Sequence, residues 1–161
     1  MKKNYILHLI LITFFLASCE TTGTSSGDAV PTNNYPAPGS SVADLQSYLQ
    51  KEVGDRVYFD TDKHNISSAS AFTLEAQANW LKATPGFTIL LEGHCDERGT
   101  RDYNLALGDR RANSVKDFLV SLGVDTGRIE TRSYGKERPA AEGSTSEAWS
   151  ENRRVVTIIS D

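Results

Sequence analysis

An arginine interrupts the apolar face of a predicted helix in the second half of the chain. The apolar residues at helical spacing are Leu107, Val115, Phe118 and Leu122, and Arg111 lies four residues from each of the first two. A guanidinium on a core-facing stripe needs a partner, because an isolated buried charge costs more free energy than packing returns. Arg111 therefore snorkels, forms a structural salt bridge, or binds an anionic ligand.

A carboxylate in a nearby loop is the candidate partner. Asp96 lies in the polar segment 93–100, between a predicted strand and the predicted helix that carries Arg111. We expect this helix to run back beside the segment. Loops at strand ends commonly hold ligands. A carboxylate and a guanidinium held close together suit a zwitterion, because arginine binds a carboxylate in a bidentate fork and aspartate binds an ammonium. Asn104, seven residues before Arg111, lies on the same helix stripe.

The same loop superficially offers a Cys–His pair or a set of metal ligands, at His94 and Cys95. Adjacent residues of an extended strand point to opposite faces, so these two side chains should not meet. A zinc deaminase needs a downstream pair of cysteines, and no cysteine follows Cys95. The sequence contains no Gly-rich phosphate loop and no nucleophile elbow. We therefore expect a non-enzymatic protein with no catalytic residue, metal or cofactor.

Alternating strand and helix signals must position these residues. Four β-type segments are predicted as strands, over residues 57–59, 87–92, 129–134 and 154–159. Helices are predicted from Ser67 or Ser68 to Ala83, from about residue 101 to Leu122 with Gly123 as the C-cap, and over 148–152. This β-α-β-α-β-β order predicts an α+β fold, a sandwich with helices packed on a small mixed sheet.

The N-terminal segment has the pattern of an export signal. Lys2 and Lys3 precede an apolar run over residues 5–16, which is too short to span a bilayer, since a spanning helix needs roughly 20 residues. The Leu-Ala-Ser-Cys that ends at Cys19 resembles the lipobox of bacterial lipoproteins. That resemblance implies a diacylglyceryl group on the Cys19 thiol and cleavage just before it. The alternative is an ordinary secretion signal or an uncleaved anchor.

Three regions follow from this pattern: a signal peptide over 1–18, the lipidated Cys19 with a flexible tether over 19–50, and a folded domain over 51–161. The tether is rich in Thr, Ser, Gly, Pro and Asn, and a short helix is predicted over 42–51. Removing residues 1–18 takes the 17 basic side chains to 15 against 21 acidic ones, a net charge of −6. We therefore expect no nucleic-acid partner. Cys95 would then lack a cysteine partner within the chain.

Two segments carry a resemblance to a known family. Gly-His-Cys-Asp-Glu-Arg-Gly-Thr at 93–100 and Tyr-Asn-Leu-Ala-Leu-Gly-Asp-Arg-Arg-Ala at 103–112 resemble the OmpA-like peptidoglycan-binding domain. Shorter matches lie at 57–63, 133–135 and 152–155, so the resemblance covers about residues 55–159. The Asp-Glu-Arg-Gly-Thr form is similar to the peptidoglycan-associated lipoprotein branch of that family, which belongs to the Tol–Pal system.

The resemblance implies a ligand, meso-diaminopimelate in the stem peptide of peptidoglycan. Its side-chain end carries an ammonium and a carboxylate, which the family contacts at the positions of Asp96 and Arg111. Other residues that the resemblance places in this peptidoglycan-binding site are Thr61, Asp62, Asn104 and Leu107. Many family members have Thr where this chain has Cys95, which we interpret as a small buried residue.

The resemblance also implies partners and a location. The partners are peptidoglycan, TolB and other Tol proteins, and the outer membrane through the lipid anchor. An Asp after the lipidated cysteine often retains lipoproteins in the inner membrane, so Glu20 favours the outer membrane, with the domain in the periplasm. The expected role is to link that membrane to the cell wall, in envelope integrity and cell division. The alternative is an adaptor that mainly docks protein partners.

Cys19→Ser should abolish acylation and leave the precursor uncut, because the thiol is the acceptor of the lipid. Palmitate labelling and membrane fractionation of cells that produce the variant check this. A variant that still takes up label and partitions with the outer membrane would show that the lipobox interpretation is wrong.

Overall fold

The computed structural model describes residues 35–36 and 39–160, all within one compact unit, Asn34–Asp161. Cys19, the predicted signal peptide and most of the predicted tether lie outside the described residues, so these remain predictions. No helix in the described part of the chain combines the length and apolar character needed to cross a membrane.

A four-stranded mixed sheet forms one layer of the fold. The strands are β1 (Arg56–Tyr58), β2 (Thr88–His94), β3 (Ile129–Gly135) and β4 (Arg154–Ser160), in the spatial order β1-β4-β2-β3. β2 runs parallel to β3, whereas β4 is antiparallel to both β1 and β2. A parallel pair needs a long crossover connection, and the long helix between β2 and β3 provides it. The predicted α+β fold with a mixed sheet is confirmed.

In the described part of the chain, four α-helices accompany the sheet: α1 (Val42–Tyr48), α2 (Ser68–Ala83), α3 (Arg101–Ser121) and α4 (Ser146–Asn152). Each begins after a serine or threonine whose hydroxyl accepts a backbone N–H of the first turn; these caps are Ser41, Ser67, Thr100 and Thr145. Gly123 follows the end of α3 with a φ of 90°, as expected for a helix-terminating glycine. The caps therefore fix where the loops around the sheet begin and end.

The hydrophobic core lies between the sheet and the helices α2 and α3. Ile89 and Leu91 of β2 are buried in it, whereas their neighbours on the opposite face are partly exposed, as the alternation predicted. Trp80 of α2 is fully buried, and its ring lies 5.3 Å from that of Phe87. This packing holds the start of β2 against α2.

The domain begins earlier than the sequence predicted. Residues 42–50 were assigned to the tether, but α1 and the π-helix Leu49–Val53 pack on the domain, with Leu45 and Leu49 buried in the core. The Gln46 side chain also accepts the backbone N–H of Ile159, so α1 supports the edge of β4 beyond the short strand β1. Two leucines four residues apart among polar residues are a weak signal for a core-packed helix, so the sequence alone does not place this segment in the domain.

Two glycines let α3 lie directly on β2. A Cβ atom added to Gly93 would overlap the carbonyl oxygen of Gly108, and one added to Gly108 would overlap the Ser133 hydroxyl. That hydroxyl donates to the carbonyl of Leu105 at 2.7 Å, which fastens β3 to the same helix. The close approach sets the position of the first half of α3 relative to the end of β2.

Gly93→Ala should destabilise the domain by about 2–3 kcal/mol, because the methyl group meets backbone that cannot move aside. Urea denaturation followed by circular dichroism measures the change. Gly127→Ala is the matched control: its Cβ would make only ordinary contacts, so we expect a change within about 0.5 kcal/mol. Equal midpoints for Gly93→Ala and the wild type would contradict the close-approach interpretation.

His94, at the end of β2, is buried without a hydrogen-bond partner for either ring nitrogen among the described residues. Its ring stacks on that of Tyr134, with centroids 5.7 Å apart, and Arg138 lies over the other ring of this pair, 3.7 Å from the Tyr134 centroid. Desolvation by burial, followed by the charges of Arg154 and Arg138, lowers the pKa of His94 to about 3. The imidazole is therefore neutral in the folded domain at neutral pH.

The buried histidine should make the domain less stable in acid. Between pH about 6.5 and 3 the unfolded state binds a proton that the folded state does not, so the free energy of unfolding falls as the pH falls through this window. His94→Phe should reduce the slope by up to about 1.4 kcal/mol per pH unit. Urea unfolding at several pH values measures the slopes. Identical slopes for the two proteins would contradict the assignment.

Candidate ligand-binding site

A cavity of about 290 Å³ lies where the C-terminal end of β2 meets α3. The six residues that the sequence predicted for the site all line it: Thr61, Asp62, Asp96, Asn104, Leu107 and Arg111. Thr61 and Asp62 come from the loop after β1, Asp96 from the loop after β2, and the other three from α3. Pockets for drug-sized ligands measure roughly 300–1,000 Å³. This cavity lies at the lower limit of that range and therefore suits a smaller group, such as an amino acid.

Arg111 lies in the cavity floor and is fully buried. Its Nε donates to the carbonyl of Lys63 at 2.8 Å, Nη1 to the carbonyl of His94 at 2.9 Å, and Nη2 to the carbonyl of Asp60 at 3.0 Å. Nη1 also contacts the Cys95 sulfur at 3.5 Å. These contacts use four of the five N–H donors of the guanidinium, which leaves one for a further acceptor.

The structure does not pair Arg111 with Asp96. Within the described part of the chain, no carboxylate oxygen lies within 4 Å of the Arg111 nitrogens, so the candidate partner inferred from the sequence is wrong as a direct contact. Backbone carbonyls take its place, because the two loops beside α3 bring their ends to the guanidinium. They satisfy its hydrogen bonds but do not neutralise its charge. Desolvation by burial lowers the pKa of Arg111, because burial disfavours the charged form of the guanidinium.

Asp96 is held by two other arginines. Its Oδ1 accepts the backbone N–H of Arg98 at 3.2 Å and the Nε of Arg98 at 3.0 Å. Its Oδ2 accepts the Nη2 of Arg98 at 2.7 Å and the Nη1 of Arg153 at 3.3 Å. Burial raises the pKa of Asp96, but the hydrogen bonds from Arg98 and Arg153 outweigh it and hold the pKa below its usual value. The carboxylate is therefore ionised at neutral pH.

The cavity has an excess of positive charge although the chain is acidic. Its lining carries two carboxylates and three guanidiniums, at Asp62, Asp96, Arg98, Arg111 and Arg153. The two charges also differ in compensation. Asp96 is paired with arginines, whereas Arg111 donates to neutral acceptors. Such an arrangement can bind a ligand that carries both a carboxylate and an ammonium.

Asn104 and Tyr103 act at the cavity wall in different ways. The Asn104 side-chain amide donates to the carbonyl of Arg98 at 2.7 Å, so it fastens the loop 95–100 to α3. The Tyr103 hydroxyl donates to the carboxylate of Asp62, so it connects α3 to the loop after β1. This hydrogen bond raises the pKa of Tyr103, and the phenol remains a donor.

The lining residues that the sequence did not assign to the site include Arg98, Tyr103 and Arg153. Arg153 is fixed by a hydrogen bond from its Nε to the carbonyl of Phe59 at 2.9 Å, and the Arg98 guanidinium lies 4.2 Å from the Trp149 ring centroid. All three lie inside segments that carried the family resemblance, which was the available signal. Arg98 lies in the loop between β2 and α3, and Arg153 lies just before β4, where hydrophobic periodicity does not locate side chains; Tyr103 lies on the exposed side of the first turn of α3.

The Cys–His pair does not form a reactive dyad. The Cys95 thiol donates to the carbonyl of Asn104 at 3.3 Å, while His94 stacks on Tyr134. Burial raises the pKa of Cys95, so the thiol is protonated at neutral pH. Over residues 35–36 and 39–160, no group of three or more His, Cys, Asp or Glu side chains is placed to hold a metal ion.

Comparisons with known proteins identify the family of the chain. The OmpA family matches residues 58–153. The chain is 42% identical to the peptidoglycan-associated lipoprotein of Rhizobium meliloti over 159 residues, covering 99% of this chain and 89% of that protein. It is 50% identical to the Agrobacterium fabrum protein of that name over 121 residues, covering 75% and 68% of the two chains.

A solved structure shows the same relationship. The crystal structure of the peptidoglycan-associated lipoprotein from Burkholderia pseudomallei superposes with a TM-score of 0.64 at 40% identity, covering 66% of this chain and 90% of that one. The fold, the matched segment and the identity over nearly the whole chain all point to one relationship. The chain therefore belongs to the OmpA family, in its group of peptidoglycan-associated lipoproteins.

Proposed function

We propose that the domain binds peptidoglycan non-covalently, through the side-chain end of meso-diaminopimelate in the stem peptide. The observation that carries the proposal is Arg111, a fully buried guanidinium with no carboxylate beside it among the described residues, in a cavity the size of an amino acid. A ligand carboxylate would compensate this charge, and Asp96 on the same cavity wall would receive the ligand ammonium.

The geometry sets what binding requires. One N–H of Arg111 remains after its four contacts with the protein, and the side chain is 0% exposed. A ligand carboxylate would therefore reach the guanidinium only after neighbouring side chains of the cavity shift. Because the Arg111 guanidinium is buried, an ion pair formed with it would be stronger than one at the surface.

Recognition without catalysis is the chemistry that this site supports best. Burial raises the pKa of the Cys95 thiol, so it stays protonated, and the His94 ring stacks on Tyr134 instead of meeting the thiol. The remaining polar groups, Asp96 and Arg111, are hydrogen-bond donors and acceptors held by several contacts each. The site therefore favours holding a zwitterion over transforming it.

The location and partners form the second half of the proposal. We propose that Cys19 is acylated and tethers the chain to the outer membrane, so that the periplasmic domain links that membrane to the wall within the Tol–Pal system. The Leu-Ala-Ser-Cys pattern at residues 16–19 and the names of the relatives support this. TolB and other Tol proteins are proposed partners, and capture assays with purified sacculi and with purified TolB test the two kinds of binding separately.

Asp96→Asn and Arg111→Lys should each weaken sacculus binding by about 30-fold or more. Loss of one partner of a buried, hydrogen-bonded charge pair typically costs 2–5 kcal/mol. Asn keeps the shape of Asp96 without its charge. Lys keeps the charge of Arg111, but its single ammonium cannot hold the three carbonyls and still reach the ligand. Co-sedimentation of the full chain, in detergent, with purified sacculi measures the affinity.

Arg110→Ala is the matched control, because Arg110 is exposed on a different side of α3. It should bind nearly like the wild type. Arg111 also fastens the carbonyls of Asp60, Lys63 and His94, so circular dichroism and thermal melting must accompany each variant. Wild-type affinity in a folded Asp96→Asn variant would contradict the site assignment.

A further inference from the structure

We infer that Arg98 competes with the ligand ammonium for Asp96, so that Arg98 lowers the affinity of the site specifically for ligands that carry a free side-chain ammonium. This inference rests on the proposed function and adds a specificity-determining residue to it.

Arg98 makes the principal contacts with the Asp96 carboxylate. It donates to both carboxylate oxygens, with Nε to Oδ1 at 3.0 Å and Nη2 to Oδ2 at 2.7 Å, and its own backbone N–H reaches Oδ1 at 3.2 Å. This is the bidentate geometry that arginine and carboxylates favour. A ligand ammonium that approaches Asp96 must therefore take the place of at least one arginine nitrogen.

Arg98 is the arginine that can give way. Its side chain is 41% exposed, whereas that of Arg153 is 14% exposed. Arg153 is also held by its Nε on the carbonyl of Phe59 at 2.9 Å. Beyond Asp96, the Arg98 guanidinium contacts the Thr61 hydroxyl at 3.3 Å and stacks on Trp149. Because Arg98 is the more exposed of the two, water can replace the contacts that it leaves when it moves.

Trp149 offers Arg98 a place to remain after it leaves Asp96. The guanidinium carbon already lies 4.2 Å from the Trp149 ring centroid, a favourable cation–π distance. The indole N–H donates to the Glu97 carboxylate at 3.0 Å, which fixes the ring beside the cavity. Arg98 can therefore rotate away from Asp96 while it keeps this contact.

The competition has a consequence for specificity. Asp96 is 7% exposed, so its carboxylate needs a cation near it. A ligand ammonium can replace the Arg98 guanidinium, but a neutral group such as an acetamide cannot. Removing Arg98 should therefore improve binding only for ligands whose side-chain amine is free.

The test compares two synthetic stem tripeptides that end in meso-diaminopimelate, one with its side-chain amine free and one with that amine acetylated. Isothermal titration calorimetry measures both against the full chain in detergent. Arg98→Ala should bind the free-amine peptide roughly two- to fivefold more tightly than the wild type, the gain expected when a partly exposed ion pair no longer competes. It should bind the acetylated peptide no more tightly than the wild type does.

Arg101→Ala is the matched control. It removes the same charge three residues away, from an exposed pair with Glu137 at 3.2 Å outside the cavity lining, and should change both affinities less than twofold. Weaker or unchanged binding of the free-amine peptide by Arg98→Ala would overturn the inference, as would an equal gain for both peptides. A wild-type chain that binds neither peptide would sink the proposed function, and this inference with it.

Discussion

The site depends on the hydrogen bonds that the buried Arg111 guanidinium donates to backbone carbonyls. The guanidinium donates to the carbonyls of Asp60 and Lys63 in the loop after β1 and of His94 at the end of β2, so one side chain joins α3 to a loop and to a strand end. Neutral carbonyls satisfy its donors without cancelling its charge. The fold therefore presents an uncompensated positive charge at the bottom of a small cavity, and that charge favours an anion as the ligand.

Two features of the fold make this arrangement possible. The absence of side chains at Gly93 and Gly108 lets α3 approach β2 closely enough for Arg111 to reach the carbonyl of His94. The Asn104 amide then ties the loop after β2 to the helix, through the carbonyl of Arg98. Asp96 is thereby held on the same wall as Arg111, yet its own charge is balanced by Arg98 and Arg153. The cavity thus offers one charge that is compensated from within the domain and one that is not.

Much of this could be predicted from the sequence. Alternation along residues 87–92 located β2, and the interrupted stripe on α3 identified Arg111 as the anomalous residue, because both follow from the fixed periodicity of strands and helices. The partners of Arg111 could not be predicted, since backbone carbonyls are the same at every position and only the tertiary fold selects which of them meet. The tertiary fold also decides which side chains meet Asp96 and which leucines pack on the core. The roles of Arg98 and Arg153, and the packing of Leu45 and Leu49, therefore appeared only in the structure.

A crystal structure of the chain with a bound stem tripeptide that ends in meso-diaminopimelate would test the central claim most directly. The account predicts that the side-chain carboxylate of the ligand lies within hydrogen-bond distance of Arg111 and that its ammonium contacts Asp96. It also predicts that the Arg98 guanidinium has moved off Asp96 and stays on the ring of Trp149. A ligand carboxylate bound by Arg98 and Arg153 instead, with Arg111 untouched, would contradict the account, and so would a peptide bound outside the cavity.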